Sequence, residues 1–205
     1  MITWQIKQGL CDLRSKRCFS QILESFIRIQ EQFPFRIVHY SVQNDHLHLL
    51  VEGRDNRLLS RSMQGLSIRI AKAINREIGR KGKIFADRYR SRVLKTSSEV
   101  RSGIECVLKD VMRHKRGKKV FPPGWVDPFS SAVFFFEPET VEGVKPGTQR
   151  KEREERKEDP KWIADFFRLR AKLGRWEVSP PETALLAAKW RKAGDIDKTT
   201  IPEKK

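Results

Sequence analysis

Two short runs of residues with β-strand character lie almost back to back in the chain: FRIVHYSV at 35–42 and HLHLLVE at 46–52, separated only by QND. Runs of this length, rich in branched and aromatic residues, are typical of strands, and so short a connection predicts an antiparallel hairpin. A one-residue slip would turn the apolar side chains of the second run away from the core. We therefore expect Leu47, Leu49 and Val51 to face the core and His46 and His48 to face the other side.

The segments around this hairpin predict a β-α-β-β-α-β order. ITWQIK at 2–7 alternates like a short strand, residues 15–33 have helical apolar spacing, and residues 59–78 form a long amphipathic helix with a basic face. IFADRYRSRVLKT at 84–96 resembles a basic strand, and the capping box TSSE at 96–99 opens another helix. This order predicts an α+β fold of the ferredoxin-like split βαβ type, with an antiparallel sheet and helices on one face.

Length and composition divide the chain into one domain and an appendage, since 205 residues allow one ordinary core and little more. We expect the domain at 1–116, an aromatic and proline-rich extension at 117–144 and a charged linker at 145–161. A small C-terminal helical segment at 162–205 completes the chain, with weak helical patterns near 162–173 and 182–193.

The charge of the chain points to a polyanionic partner. The formal net charge is +17 and the pI is about 10.1, more than solubility requires, which favours nucleic acid. The excess is concentrated, since residues 54–119 hold 20 Lys and Arg but only 6 Asp and Glu. Three scattered cysteines predict neither disulfides nor a zinc site, and no apolar run approaches a membrane span, so we expect a cytoplasmic protein without a membrane partner.

The two histidines of the second strand are candidate metal ligands. Residues two apart in a strand project from one face, about 6.6 Å apart along the strand axis, so the imidazoles of His46 and His48 could converge on one ion. A pair this short also recurs by chance. On spacing alone, two polar residues on a solvated sheet face explain the pattern equally well.

The combined pattern resembles the HUH single-tyrosine transposases, specifically the insertion-sequence-200-like and REP-associated tyrosine transposase group. The resemblance covers roughly residues 36–133 and is carried by VHYSVQNDHLHLLVE, by the basic helix and strand, by SSEVRSGIECVLKDVMRHKR and by GWVDPFSSA. It implies a divalent ion, Mg or Mn, held by His46 and His48, and metal-dependent cleavage and joining of single-stranded or hairpin DNA in transposition.

The family's nucleophilic tyrosine and its third ligand lie four residues apart on the closing helix. Carried over, the resemblance puts Cys106 at the tyrosine position and Asp110 at the ligand position. An ordinary helix carboxylate paired with His114 is the alternative for Asp110. Cys106 is either an inert small residue or a substitute nucleophile, and Tyr89, otherwise structural or DNA-contacting, is a weak substitute.

Basic residues of the long helix and the following strand are predicted to hold the DNA backbone. They are Arg61, Arg69, Lys72, Arg76, Arg80, Lys81, Lys83, Arg88, Arg90, Arg92 and Lys95. Near the C-terminus, Trp190 and Arg191 are candidates for a hairpin contact, with packing as the alternative for Trp190.

Three functional hypotheses follow. The first is a transposase-type nuclease that handles single-stranded or hairpin DNA with a metal at His46, His48 and Asp110. The second is a domesticated or degenerate hairpin-DNA-binding protein without cleavage, and Cys106 separates the two. The third is an RNA-binding module, since RNA recognition domains share the βαββαβ plan. A monomer and a homodimer both remain open, as does enzymatic activity.

Overall fold

The computed structural model describes residues 1–114, 121, 125–135, 178–179 and 181–196. Its strands are β1 (Ile2–Gln5), β2 (Phe35–Val42), β3 (His46–Gly53) and β4 (Arg90–Ser91). Its helices are α1 (Lys16–Gln32), α2 (Asn56–Glu77), α3 (Ser97–Leu108), α4 (Asp110–His114), α5 (Ala132–Phe135) and α6 (Ala184–Ala187), followed by a 3₁₀ helix (Lys189–Ala193). Within these residues no helix is both long and apolar enough to cross a bilayer.

The four strands form one sheet in the order β2-β3-β1-β4, and every neighbouring pair is antiparallel. β3 thus lies between β1 and β2, which are parallel to each other, as a split βαβ unit requires. The predicted ferredoxin-like α+β fold is confirmed. The predicted hairpin is also present, with Tyr40 opposite Leu49 and Val42 opposite Leu47.

α1 and α2 cover one face of the sheet. α1 begins after Ser15, whose hydroxyl accepts from the backbone N–H of Cys18, and α2 begins after Asp55, whose carboxylate accepts from that of Leu58. Their apolar stripes enclose the main core together with Leu47 and Leu49 of β3, both fully buried. The alternation of β3 therefore places Leu47 and Leu49 on this face, with Val51 packed against the same core, as predicted.

α3 lies on the opposite face, so the prediction of helices on one face is right for α1 and α2 and wrong for α3, whose apolar side chains pack against Leu50. The capping box predicted at Thr96 and Glu99 is present at its start. Ile104 of α3 packs with Leu50 of β3 in a second apolar cluster. Trp190 of the C-terminal 3₁₀ helix completes this cluster and is only 3% exposed, which agrees with the packing alternative for this residue.

The predicted strand at 84–96 is wrong in extent, because only Arg90 and Ser91 pair as β4. Ile84 and Phe85 are adjacent and both buried, whereas neighbours in a strand point to opposite faces. Phe85 makes an isolated bridge to Ile6 and stacks on Trp4. The chain therefore turns into the core here before it reaches the sheet edge.

The closing helix is also interrupted, where the sequence predicted a continuous turn from Cys106 to Asp110. α3 ends at Leu108, and Lys109 leaves the helical conformation at φ −110° and ψ 19°. The buried ammonium of Lys109 lies 3.4 Å from the carboxylate of Glu105. Asp110 consequently starts a new helix with its own orientation.

The described parts of the C-terminal half lie against the domain. Arg14 makes a bidentate ion pair with the buried Asp127, and Ser130 bridges to Ser41 of β2. The proposed linker at 145–161 and the helical pattern at 162–173 lie outside the described residues. The division of the chain at 116, 144 and 161 stays a prediction.

Candidate metal centre

Three side chains from distant parts of the chain meet beside the sheet face that carries α3. His46 Nε2 lies 3.5 Å from one carboxylate oxygen of Asp110, and His48 Nε2 lies 3.6 Å from the other. One ligand atom from each residue lies within 4.8 Å of the other two. The structure thus brings together the two histidines and the carboxylate that the sequence singled out.

The local structure explains this convergence. His46 and His48 are two apart in β3, so they share a face, and their rings lie 5.0 Å apart between centroids. Asp110 is the first residue of α4, directly after the break at Lys109. Without that break, Asp110 would follow the face of α3 on which Cys106 lies.

Each imidazole is held by a second partner at its other ring nitrogen. His46 Nδ1 donates to the Asp45 carboxylate at 2.7 Å, and His48 Nδ1 lies 2.9 Å from the hydroxyl of Thr3 on the neighbouring strand. A carboxylate only accepts, so the neutral His46 ring presents an unprotonated Nε2 to Asp110. Such outer partners orient histidine ligands in metal sites.

Asp110 is almost fully buried, with a side chain 3% exposed. Ser41 donates its hydroxyl to Asp110 Oδ2 at 3.5 Å, and Gln43 donates to that hydroxyl at 2.9 Å. Burial of the His46 ring lowers its pKa. The hydrogen bonds that the protonated ring makes to Asp110 and Asp45 outweigh burial and leave the pKa raised. The buried Asp110 carboxylate therefore stabilises a positive charge beside it.

The donor set fits a divalent cation. Two ligands about 2.1 Å from one ion, at angles near 90–110°, lie about 3.0–3.5 Å apart, close to the separations of Asp110 from the two Nε2 atoms. Two neutral imidazoles and one carboxylate supply both nitrogen and oxygen donors, which several divalent metals accept. His46, His48 and Asp110 could therefore hold one ion.

Cys106 lies on α3, half-buried, one turn before Asp110. Its sulfur is not among the atoms of the close group. Burial raises the pKa of the thiol, Arg113 acts to lower it and Asp110 to raise it, with a raised pKa as the result. Since only the thiolate is a good nucleophile, this thiol is poorly activated at neutral pH.

The two tyrosines lie on the other side of the sheet. Tyr89 packs edge-on against Trp4, with 5.7 Å between ring centroids, and Trp4 faces the core under α1 and α2. Tyr40 is fully buried in that same core. The sheet separates both phenols from His48, so Tyr89 is not brought to the metal centre.

Ten of the eleven predicted basic residues divide into two groups, and Arg61 lies apart from them as an exposed residue of α2. Arg69, Lys72 and Arg76 line a groove between α1 and α2, on the sheet face opposite the histidines. Arg69 donates to Gln32 there, and Arg76 to Gln21. This group does not lie beside the metal centre.

The second group follows the end of α2 and the edge strand β4. Its members are Arg80, Lys81, Lys83, Arg88, Arg90, Arg92 and Lys95. The Cα of Arg90 pairs with that of Thr3, and directly opposed residues project from the same face. Because Thr3 touches His48, the exposed Arg90 projects from the sheet face that carries the two histidines.

Sequence reasoning missed the partners that orient the cluster. Thr3 has the polar position in the alternation of ITWQ, so its place on the histidine face follows from the strand pattern once β1 is paired with β3. Asp45 directly precedes His46 in sequence. Ser41 and Gln43 carry no comparable signal, since short polar residues at a hairpin are common.

Comparisons with known proteins found similarity to one family model and to solved structures. Residues 11–106 match the family model described as "Transposase IS200 like". A solved structure described as "Structure of the REP associates tyrosine transposase bound to a REP hairpin" aligns with 66% of this chain and 80% of that chain, at 19% identity and a TM-score of 0.49. No curated protein matches. Over residues 11–106, slightly less than half of its length, the chain is therefore similar to the IS200-like transposases.

Proposed function

We propose that this protein binds single-stranded or hairpin DNA and positions a strand phosphate at a divalent cation held by His46, His48 and Asp110, without forming a covalent protein–DNA intermediate and without cleaving the strand. One observation carries this proposal. Both Nε2 atoms lie 3.5–3.6 Å from the Asp110 carboxylate, while the outer ring nitrogens contact Asp45 and Thr3.

The residues of the centre have two different roles. His46, His48 and Asp110 bind the ion, and Asp45 and Thr3 keep the two rings in orientation. When bound, a divalent cation supplies Lewis-acid stabilisation of charge on a phosphoryl oxygen. We propose Mg or Mn, in keeping with the oxygen donor of Asp110 and the family resemblance.

Charge supports a DNA partner on this face. Arg90 starts from the same face as His48, through the pairing of β4 with β1, and a guanidinium can take a phosphate with two parallel hydrogen bonds. The chain as a whole carries a formal charge of +17. Binding driven by such charge weakens steeply as salt is added.

The absence of an activated nucleophile among the described residues at the centre supports binding without a covalent step. The Cys106 thiol has a raised pKa, and Tyr89 lies across the sheet. A thiol held in its protonated form attacks a phosphodiester poorly. The proposal therefore favours the second of the three hypotheses, a scaffold that grips DNA without covalent cleavage.

A covalent-adduct assay tests this proposal. Purified protein is incubated with Mn²⁺ and a labelled single strand that contains a hairpin, and protein–DNA adducts are resolved on a denaturing gel. We expect wild type to bind in low salt without an adduct, Cys106→Tyr to form one, and Cys106→Phe, which has the bulk without the hydroxyl, to form none.

Three results would contradict the proposal. An adduct on the wild-type protein would show that a nucleophile exists. Cleavage without an adduct would show that water attacks the strand. No binding in low salt, with or without Mn²⁺, would remove DNA as the partner.

A further inference from the structure

A second site lies on the other side of the sheet edge from the metal centre. Between α2 and residues 83–89 the surface forms a cleft of about 490 Å³, within the size range of small-ligand pockets. We infer that this cleft receives one unpaired nucleobase of the bound strand. The inference rests on the proposed DNA binding and adds where the strand is gripped.

The walls of the cleft are apolar and aromatic. Trp4 and Phe85, only 3% and 6% exposed, stack with 4.3 Å between centroids and form the floor of the cleft. Tyr89, which is only partly buried, meets Trp4 edge-on. Ile68 of α2 borders the cleft and is 48% exposed, one of two large apolar side chains left strongly exposed among the described residues. An exposed apolar side chain beside an aromatic pocket suits a flat ring that would cover it.

The cleft also has polar groups suited to a base and its phosphates. Gln64 and Asp87 line it, and their amide and carboxylate can hydrogen-bond to the edge of a base. Lys83 and Arg88 supply two positive charges against the one negative charge of Asp87. The Arg88 guanidinium lies 5.7 Å from the centroid of the Tyr89 ring. A neutral apolar ligand would not need these cations, whereas a nucleotide carries a phosphate on each side of its base.

The cleft is continuous with the metal face across one strand. Tyr89 lines the cleft, and the next residue, Arg90, pairs with Thr3, whose hydroxyl contacts His48. β4 is the edge of the four-stranded sheet. A DNA strand that crosses this edge can therefore place a base beside Tyr89 and a neighbouring phosphate near Arg90.

A base-removal scan tests the inference. Abasic sites are introduced one at a time into the single-stranded flank of a hairpin oligonucleotide, and the Kd of wild-type protein is measured for each. A base stacked on aromatic groups predicts one position at which removal weakens binding about 5- to 100-fold. Flanking positions that only contribute phosphates should change little.

A variant of the cleft tests whether the base at the sensitive position binds in the cleft. Ile68→Asn should weaken binding of the intact strand and should bind the strand abasic at the sensitive position as well as wild type does. Val93→Asn is the matched control, since Val93 is the other strongly exposed large apolar residue and does not line the cleft. Gln64→Ala, a second exposed cleft residue, makes the same comparison independently of Ile68.

The outcomes separate this inference from the proposed function. If wild type binds the intact strand but no abasic position matters, the cleft holds no base. The same conclusion follows if a sensitive position keeps its full effect in both cleft variants. If wild type binds no intact strand at low salt, the proposed function and this inference fail together.

Discussion

Replacing Thr3 by valine tests whether the strand partner of His48 prepares the metal centre. Valine keeps the branched shape that suits β1 and removes only the hydroxyl, which lies 2.9 Å from His48 Nδ1. The ring would then keep its contact with Asp110 and lose its outer partner. We expect weaker metal binding with the fold retained.

The size of the effect follows from the role of that contact. The His48 side chain is 13% exposed, so little water is available to replace the lost hydroxyl. Loss of an outer partner of a histidine ligand typically reduces metal affinity about 10- to 100-fold, which is about 1.4–2.7 kcal/mol. The cost to folding should be smaller, about 1 kcal/mol, because one hydrogen bond to a partly exposed ring is removed.

Isothermal titration calorimetry with Mn²⁺ at pH 7.5 measures this change. Thr3→Ser is the matched control, because serine keeps the hydroxyl and should retain most of the affinity. If Thr3→Val binds Mn²⁺ as tightly as wild type, the hydroxyl does not orient a ligand. If Thr3→Ser loses as much as Thr3→Val, the effect belongs to the strand and not to the hydroxyl.

Three other predictions concern stability and DNA binding. Burial lowers the pKa of His39 to about 4 from 6.5. The contribution of the neutral ring to the free energy of unfolding is therefore fully present above pH 6.5 and is lost as the pH falls toward 4. In urea unfolding, the free energy of unfolding of wild type should fall by up to about 3 kcal/mol more than that of His39→Gln over this pH range. Trp190→Ala should cost about 3–5 kcal/mol in the same assay, because the indole is buried, and a loss below 1 kcal/mol would contradict the packing described. Arg90→Ala should lower affinity for a short single strand and flatten its dependence on log salt by about 0.7, whereas Arg76→Ala, across the sheet, should change neither.

The parts of the fold governed by local pattern could be predicted from the sequence. The alternation in β3 separated Leu47 and Leu49 from His46 and His48, and the structure has this separation. Helix starts were equally clear, since the capping box at Thr96 satisfies backbone donors in any context. These signals are short-range and depend little on the rest of the chain.

The parts that depend on distant contacts could not be predicted. The break at Lys109, which orients Asp110, follows no glycine or proline and coincides with the burial of a lysine beside Glu105. The truncation of β4 arises because Phe85 stacks on Trp4, a residue 81 positions earlier in the chain. In both places tertiary packing overrides a reasonable local pattern.

The separation between the scaffold and the candidate centre implies that residue 106 can change while the fold persists. His46, His48 and Asp110 belong to none of the apolar clusters that hold the described residues together. Cys106 also lies outside those clusters and is half-buried. A change of side chain there alters the chemistry available beside the candidate centre, but it removes little of the buried apolar surface that stabilises the domain. In the proposed function, the contact with DNA depends on charges such as Arg90 at the sheet edge and not on residue 106. The strand binding that we propose is therefore physically separable from covalent strand transfer and does not require it.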